Sequence, residues 1–278
     1  MNFTMIYLND YKPSEEAVCR SLSIATLRLA LEDVLAGRLS KPPSIPSLVL
    51  FRGPRVTLEL YGNLCRVMQA RGFAPLTSAR SFRIAEDFSL HYPMLREWSP
   101  AAIVVDASVE AEELTERLAA GPLRFPVFVR SDLESAAKYV GLEGCVVSSP
   151  DLEELRTVLN NLRNHVSGFR RIILKEMRPI RRIGGSTVEC RAVGLQGQLV
   201  HLDHSGGINS EPGPEARGLE SFARKCLKAL QEGGADGAVL LDVAVLEDDV
   251  PIVVECKDFL NGSLYHPEQV GSALVKHA

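Results

Sequence analysis

Ala238-Val239-Leu240-Leu241-Asp242-Val243-Ala244-Val245-Leu246, then Glu247-Asp248-Asp249, then Pro251-Ile252-Val253-Val254-Glu255, reads as two apolar strands joined by an acidic turn. Apolar runs of this length bounded by turn residues are the pattern of buried strands, and the short link makes them an antiparallel hairpin. Asp242 breaks the first run, where an ionised carboxylate without a partner is costly. Glu255 ends the facing strand and Asp258 follows at its mouth. The hairpin thus brings three acids toward one end of a sheet, an oxygen-rich arrangement suited to Mg²⁺ shared between carboxylates and phosphates. Pairing of Asp242 with an arginine, or a place on a solvated face, accounts for that residue as well.

Working outward, Glu189-Cys190-Arg191 lies in a strand over 188–193, which turns around Gly194 to Gly197 into a strand over 198–202. Glu189 and Arg191 are two residues apart, so they share a face. Arginine grips phosphate or carboxylate through two parallel hydrogen bonds. Phe125-Pro126-Val127-Phe128-Val129-Arg130 is a strand that ends in another cation, and 171–176 (RIILKE) is a further strand. Phosphoryl transfer requires cations on the phosphates and carboxylates on the metal.

In the first half, apolar Val18, Leu22, Ile24, Leu27 and Leu31 predict one helix over 14–37. Three prolines make 41–46 a stiff linker. A strand over 47–51, a helix over 58–71 closed by Gly72, and a strand over 101–106 form the strand–helix–strand signature of a parallel sheet. A short strand is expected over 144–148, and a helix capped by Ser149 with Pro150 in its first turn follows. A Gly-, Pro- and Ser-rich loop over 205–218 precedes a helix over 219–232.

The chain has 278 residues, of which 46% are hydrophobic, and a net charge of −4. That length favours about two domain-sized units. The charge gives no reason to expect a nucleic-acid partner; the clusters Phe169-Arg170-Arg171 and Arg181-Arg182 read as solvated faces. The N-terminus lacks the pattern of a signal peptide, and no apolar run is long enough for a membrane span, so a cytoplasmic protein is expected. The six cysteines are scattered and are expected to be reduced structural thiols, without a zinc site.

The order of 125–130 (FPVFVR), Ile173-Leu174-Lys175-Glu176-Met177, Glu189-Cys190-Arg191 with its hairpin, Leu241-Asp242-Val243-Ala244 and Val253-Val254-Glu255 resembles an ATP-grasp domain. In particular it resembles the clade in which a nucleotide-binding lysine is replaced by arginine. The likeness covers roughly 120–265 and rests on order and spacing. It implies an α/β fold, α+β in the C-terminal half, in which a Rossmann-like domain precedes a two-lobed ATP-grasp domain. The expected boundaries are an N-terminal helical segment and linker over 1–45, the Rossmann-like domain over 46–120, with Arg52-Gly53-Pro54 near its first strand, and the ATP-grasp domain over 121–278.

The resemblance further implies ATP and Mg²⁺ as cofactors, and a carboxylate–amine ligase working through an acyl-phosphate on a peptide or small metabolite. Arg130 would contact phosphates. Lys175, Glu176 and Met177 would form the adenine-side hinge, with Glu176 toward the ribose. Glu189 would line the nucleotide site, and Arg191 would face the γ-phosphate or acyl-phosphate as the catalytic cation. Asp242 and Glu255 would hold Mg²⁺, with Asp258 or Asn261 as a third ligand. Most ATP-grasp proteins carry Asn two residues after the final Glu, whereas this chain carries Lys257, which cannot ligate Mg²⁺ while protonated. The alternatives are a catalytically silent nucleotide-binding regulatory module and a kinase-like phosphotransferase. Gly141 and Gly144, His201 and His204, Cys256, Tyr61, Arg83, Tyr92 and Trp98 are explained as well by turns, strand ends and packing.

Overall fold

The computed structural model describes residues 3–9, 11–38, 47–121, 123–132, 135–204, 214–260, 262, 264 and 266–277. The linker expected over 41–46, residues 205–213 of the expected loop, and Asn261 lie outside them. The first stretch contains β1 (Phe3–Leu8), α1 (Pro13–Ser21), β2 (Ala25–Leu29), α2 (Leu31–Leu35), β3 (Ser47–Arg52), α3 (Leu58–Ala70), β4 (Phe73–Pro75) and α4 (Ala79–Glu86). Next come α5 (Phe88–Leu95), β5 (Ala102–Asp106), α6 (Ala111–Ala120), β6 (Val127–Ser131), α7 (Ala137–Val140), β7 (Val146–Val147), α8 (Leu152–His165) and β8 (Arg171–Glu176). The last stretch holds β9 (Arg182–Ile183), β10 (Ser186–Thr187), β11 (Glu189–Leu195), β12 (Gln198–His204), α9 (Pro214–Glu232), β13 (Ala238–Val245), β14 (Pro251–Asp258) and α10 (Pro267–His277).

The chain forms two compact units, one of Met1–Glu86 with Ile180–Ala278 and one of Asp87–Pro179. In the first, β2, β1, β3 and β4 lie side by side in a parallel sheet. Its central strands are apolar on both faces because both are covered. Ile6, Leu8, Val49 and Phe51 pack with Tyr61, Leu64 and Met68 of α3. Met5, Tyr7 and Leu50 pack with Val193, Leu240, Val270 and Leu274. The second sheet of this unit runs β12-β11-β13-β14, all antiparallel. Helix α9 lies on β11, β12 and β13 through an apolar stripe that includes Ala223, Cys226, Leu227 and Leu230. In the second unit, β5-β8-β6-β7 form an antiparallel sheet. Val127, Val129, Ile172 and Leu174 on one of its faces meet Leu114, Leu118, Leu155, Leu159 and Leu162 of α6 and α8.

The hairpin of β13 and β14 forms where the sequence places it, as does that of β11 and β12. Helix α3 ends before Gly72, whose φ of +82° suits the residue after a helix. Four expectations are corrected. The single helix over 14–37 is α1, β2 and α2: Ser23 takes φ +59°, and the β-branched Ile24 and Thr26 favour the strand that pairs with β1. The strand over 101–106 is not in the parallel sheet; β5 pairs antiparallel with β8, because an apolar run reports burial and not which partner supplies it. Asp151, not Ser149, caps α8, its side chain accepting from the Glu154 backbone N–H at 2.8 Å. Helix α9 begins at Pro214, inside the expected loop.

Candidate functional site

Strand pairing places Asp242 of β13 directly between Arg191 of β11 and Glu255 of β14. Directly opposed residues of an antiparallel sheet share a face. The Arg191 Nε donates to Asp242 Oδ1 at 2.7 Å, and its Nη2 donates to Oδ2 at 2.8 Å, the two-pronged geometry that the planar guanidinium favours. Both side chains are nearly buried, at 7% and 8% exposure, so the buried charge of Asp242 is balanced within the sheet. Lys257, two residues after Glu255, points to the same face. Its ammonium lies 2.6 Å from Glu255 Oε2 and 3.5 Å from Asp242 Oδ2. Glu255 and Lys257 are more open than the pair behind them, at 27% and 32% exposure.

The electrostatics follow from this packing. Burial works against the charge of Lys257, but Glu255 and Asp242 outweigh it and hold its pKa above the ordinary value. Glu189 lies two residues before Arg191 on the same face. Burial and then the charge of Asp242 push its pKa up, against Arg191 and Lys257. Asp203 is directly opposite Arg191 on β12 and fully buried. It accepts from the His266 backbone N–H at 3.1 Å, and its Oδ1 is 2.5 Å from His266 Nδ1.

Asp258 is placed elsewhere. One residue beyond Lys257, it turns to the other face of β14, is fully buried, and accepts from the Leu260 backbone N–H. Its backbone N–H donates to Glu86 Oε1 at 3.5 Å, and against the effect of burial Asp258 and Arg55 draw Glu86 below the usual carboxylate range. The hairpin therefore brings two of the three expected metal ligands together and sends the third through the sheet. Mg²⁺ requires near-octahedral oxygen ligation at about 2.1 Å. Here Asp242 holds Arg191 through both oxygens, and Lys257 reaches both acids. Among the described residues, no three His, Cys, Asp or Glu side chains are disposed to hold a metal ion. The donor set does not fit a carboxylate-held Mg²⁺.

In the Asp87–Pro179 unit, Arg130 is opposite Ile173 and Lys175 is opposite Phe128, so the two cations lie on one face of that sheet as diagonal neighbours. The Arg130 Nε donates to the Ser131 carbonyl at 3.2 Å. Glu176 is on the opposite, helix-covered face, where its Oε1 accepts from the Arg124 backbone N–H at 2.7 Å. The Met177 backbone N–H donates to the Pro126 carbonyl at 2.9 Å.

Sequence reasoning missed a second polar cluster in the larger unit. Arg52 is fully buried; its Nε donates to Glu15 Oε1 at 2.6 Å and its Nη2 to Glu15 Oε2 at 2.9 Å. The same guanidinium donates to the carbonyls of Phe259, Leu260 and Gly262, and so ties the chain beyond β14 to β3. Lys12 donates to the Gly262 carbonyl at 3.5 Å; burial, then Arg52, and Arg191 more weakly, lower its pKa. The signal for this cluster was a lone arginine closing the apolar run 47–51. Cys256 is buried, and its thiol is pushed up by burial and by Glu86 and Glu255, the opposite of an activated nucleophile. Tyr61 stacks on Phe82 and donates to the Thr77 carbonyl at 3.0 Å, a packing role.

No protein-family model matches the chain, and no curated protein matches it in sequence. Solved structures do match it. The RimK domain ATP-grasp protein of Sphaerobacter thermophilus is 16% identical, with 98% of each chain covered and a TM-score of 0.66. The D-cycloserine synthetase DcsG is 17% identical, with 99% of each chain covered and a TM-score of 0.64. The D-alanine–D-alanine ligase of Bacillus anthracis, determined with ATP, is 13% identical over 99% of this chain and 96% of that one, with a TM-score of 0.60. Likenesses that span whole chains at such low identity are likenesses of architecture, and they show that this chain is folded as the ATP-grasp proteins are.

Proposed function

We propose that this protein is an ATP-dependent ligase that joins a carboxylate to an amine through an acyl-phosphate, on a peptide or a small metabolite. The observation that carries the reading is the face shared by Arg191, Asp242, Glu255 and Lys257 on a chain with the ATP-grasp fold. Similar structures include ligases and synthetases, although fold alone does not fix chemistry. ATP, as its magnesium complex, is the substrate. Arg191 and Lys257 are the proposed phosphate contacts of the larger unit, with Glu189 on the same face; Arg130 and Lys175 are the cations that the Asp87–Pro179 unit offers to the nucleotide. In the first step a carboxylate oxygen of the acid attacks the γ-phosphorus and ADP leaves. In the second, the amine nitrogen attacks the acyl carbon, inorganic phosphate leaves and the nitrogen loses a proton. Arg191 and Lys257 oppose the charge that builds on the equatorial oxygens of the transferring group. Asp242 holds the Arg191 fork in place, and Glu255 does the same for Lys257. In this reading Asp258, expected as a metal ligand, ties down the end of β14.

The test is ADP release across a panel of carboxylates and amines. Release that requires both an acid and an amine is expected, with Arg191→Met slower by about 10²-fold at a temperature where circular dichroism shows it folded, its melting lowered because Asp242 loses its partner. ATP binding without turnover under any pairing would instead support a silent nucleotide-binding module, the reading favoured by Lys257 standing between the two acids.

A further inference from the structure

We infer that Lys257 is a resident counter-ion: its ammonium takes the place where Asp242 and Glu255 would otherwise converge on a divalent cation, so the larger unit receives a triphosphate without a metal of its own. The triphosphate part rests on the proposed function; the exclusion of the metal rests on geometry alone.

The alternation of β14 sends Glu255 and Lys257 to one face, and the register of β13 places Asp242 beside Glu255. One ammonium at 2.6 Å from Glu255 and 3.5 Å from Asp242 touches both acids that would have to ligate a metal. Arg191 holds the two oxygens of Asp242 from the other side. A divalent ion at this point would displace one cation and meet the repulsion of the other. Asp258, the next acid in sequence, is out of reach on the opposite face. Lys257 retains 32% exposure, so the ammonium that neutralises the acids is also open to an incoming anion. The two functions that a bound Mg²⁺ combines, balancing the carboxylates and attracting phosphate, are here fulfilled by a covalently attached charge.

The experiment is a titration of Mn²⁺ into the full-length protein without nucleotide, followed by electron paramagnetic resonance. The wild type, Lys257→Asn and Lys257→Met are compared after circular dichroism shows that each variant is folded. The wild type is expected to leave Mn²⁺ free up to the millimolar range, and both variants to bind it at least tenfold more tightly. Micromolar Mn²⁺ binding by the wild type that Glu255→Gln abolishes would overturn the inference, without recourse to either lysine variant. Unchanged Mn²⁺ affinity in both folded variants would overturn it too. A parallel ATP titration in EDTA separates the two ideas. Wild-type affinity within threefold of that in Mg²⁺, lost tenfold in Lys257→Met, supports the resident cation. ATP binding that vanishes in EDTA means that the triphosphate is held only through the metal it brings and not by Lys257, and it contradicts the triphosphate part alone. ATP that fails to bind under either condition refutes the proposed function and the triphosphate part, and the Mn²⁺ result alone then decides the exclusion of the metal.

Discussion

Arg52 carries a full charge at 0% exposure, a state that is stable only because every arm of its guanidinium has an acceptor. Removing it leaves Glu15 buried without its cation and takes the donor from the Phe259 carbonyl, while the Leu260 and Gly262 carbonyls keep Gly53 N–H and Lys12. Arg52→Ala is therefore expected to cost about 3–5 kcal/mol in urea unfolding, and Arg52→Met combined with Glu15→Met distinctly less, because no lone charge stays buried. Equal losses in both would show that the pair is not the source. The sequence shows an arginine closing an apolar strand; it has no mark that pairs residue 52 with residue 15 or with residues 259–262. Glu189 obeys the reverse logic. Its folded pKa is raised above the ordinary 4.5, so the folded chain binds that proton more tightly than the unfolded chain does. Its contribution to stability is full below the unfolded value and is lost as pH rises through the folded value. Glu189→Gln should thus stabilise the protein at pH 7, with the gain shrinking as pH falls through the raised folded value and gone below about 4.5; a loss of stability at pH 7 would contradict the burial argument.

At the scale of elements, the two hairpins of the larger unit's antiparallel sheet were legible because apolar runs, turn residues and spacing all agreed. Asp242 was legible as an anomaly, though its bond to Arg191, 51 residues earlier, belongs to strand register that no local pattern encodes. The failures were of another kind. The stretch 14–37 satisfied helical spacing, yet pairing with β1 made its middle a strand, a case of tertiary pairing overriding periodicity. Strand β5 was found but assigned to the wrong sheet for the same reason. Gly194 tests the packing of α9 on β11: a Cβ there would meet Leu227 Cδ2 at 2.4 Å. Gly194→Ala is expected to lose about 1–3 kcal/mol in denaturant unfolding, and Leu227→Ala placed behind it should recover part of that loss. No recovery would mean that the glycine is needed for its backbone and not for the close approach.

For the whole molecule, the chain leaves the larger unit after Glu86 and returns at Ile180, so Asp87–Pro179 is a contiguous piece with a core of its own. Expressed alone, 87–179 should unfold cooperatively in urea, whereas 1–86 alone should not, since its sheet packs on Val193, Leu240, Phe259 and Val270 from the far end of the chain. A non-cooperative 87–179 would show that its core does not suffice. The α/β class was legible from the succession of strand and helix patterns, and the ATP-grasp likeness from the order of five short segments. The destination of Asp258 was not, because the strand expected to end at Glu255 continues through Asp258 and its alternation turns that residue to the other face. The central claim is that this fold serves a nucleotide, and calorimetric titration of ATP with Mg²⁺ into the full-length protein tests it most directly. The account predicts one nucleotide bound per chain, with affinity reduced at least tenfold in folded Arg130→Ala. Absence of binding at millimolar ATP would contradict it.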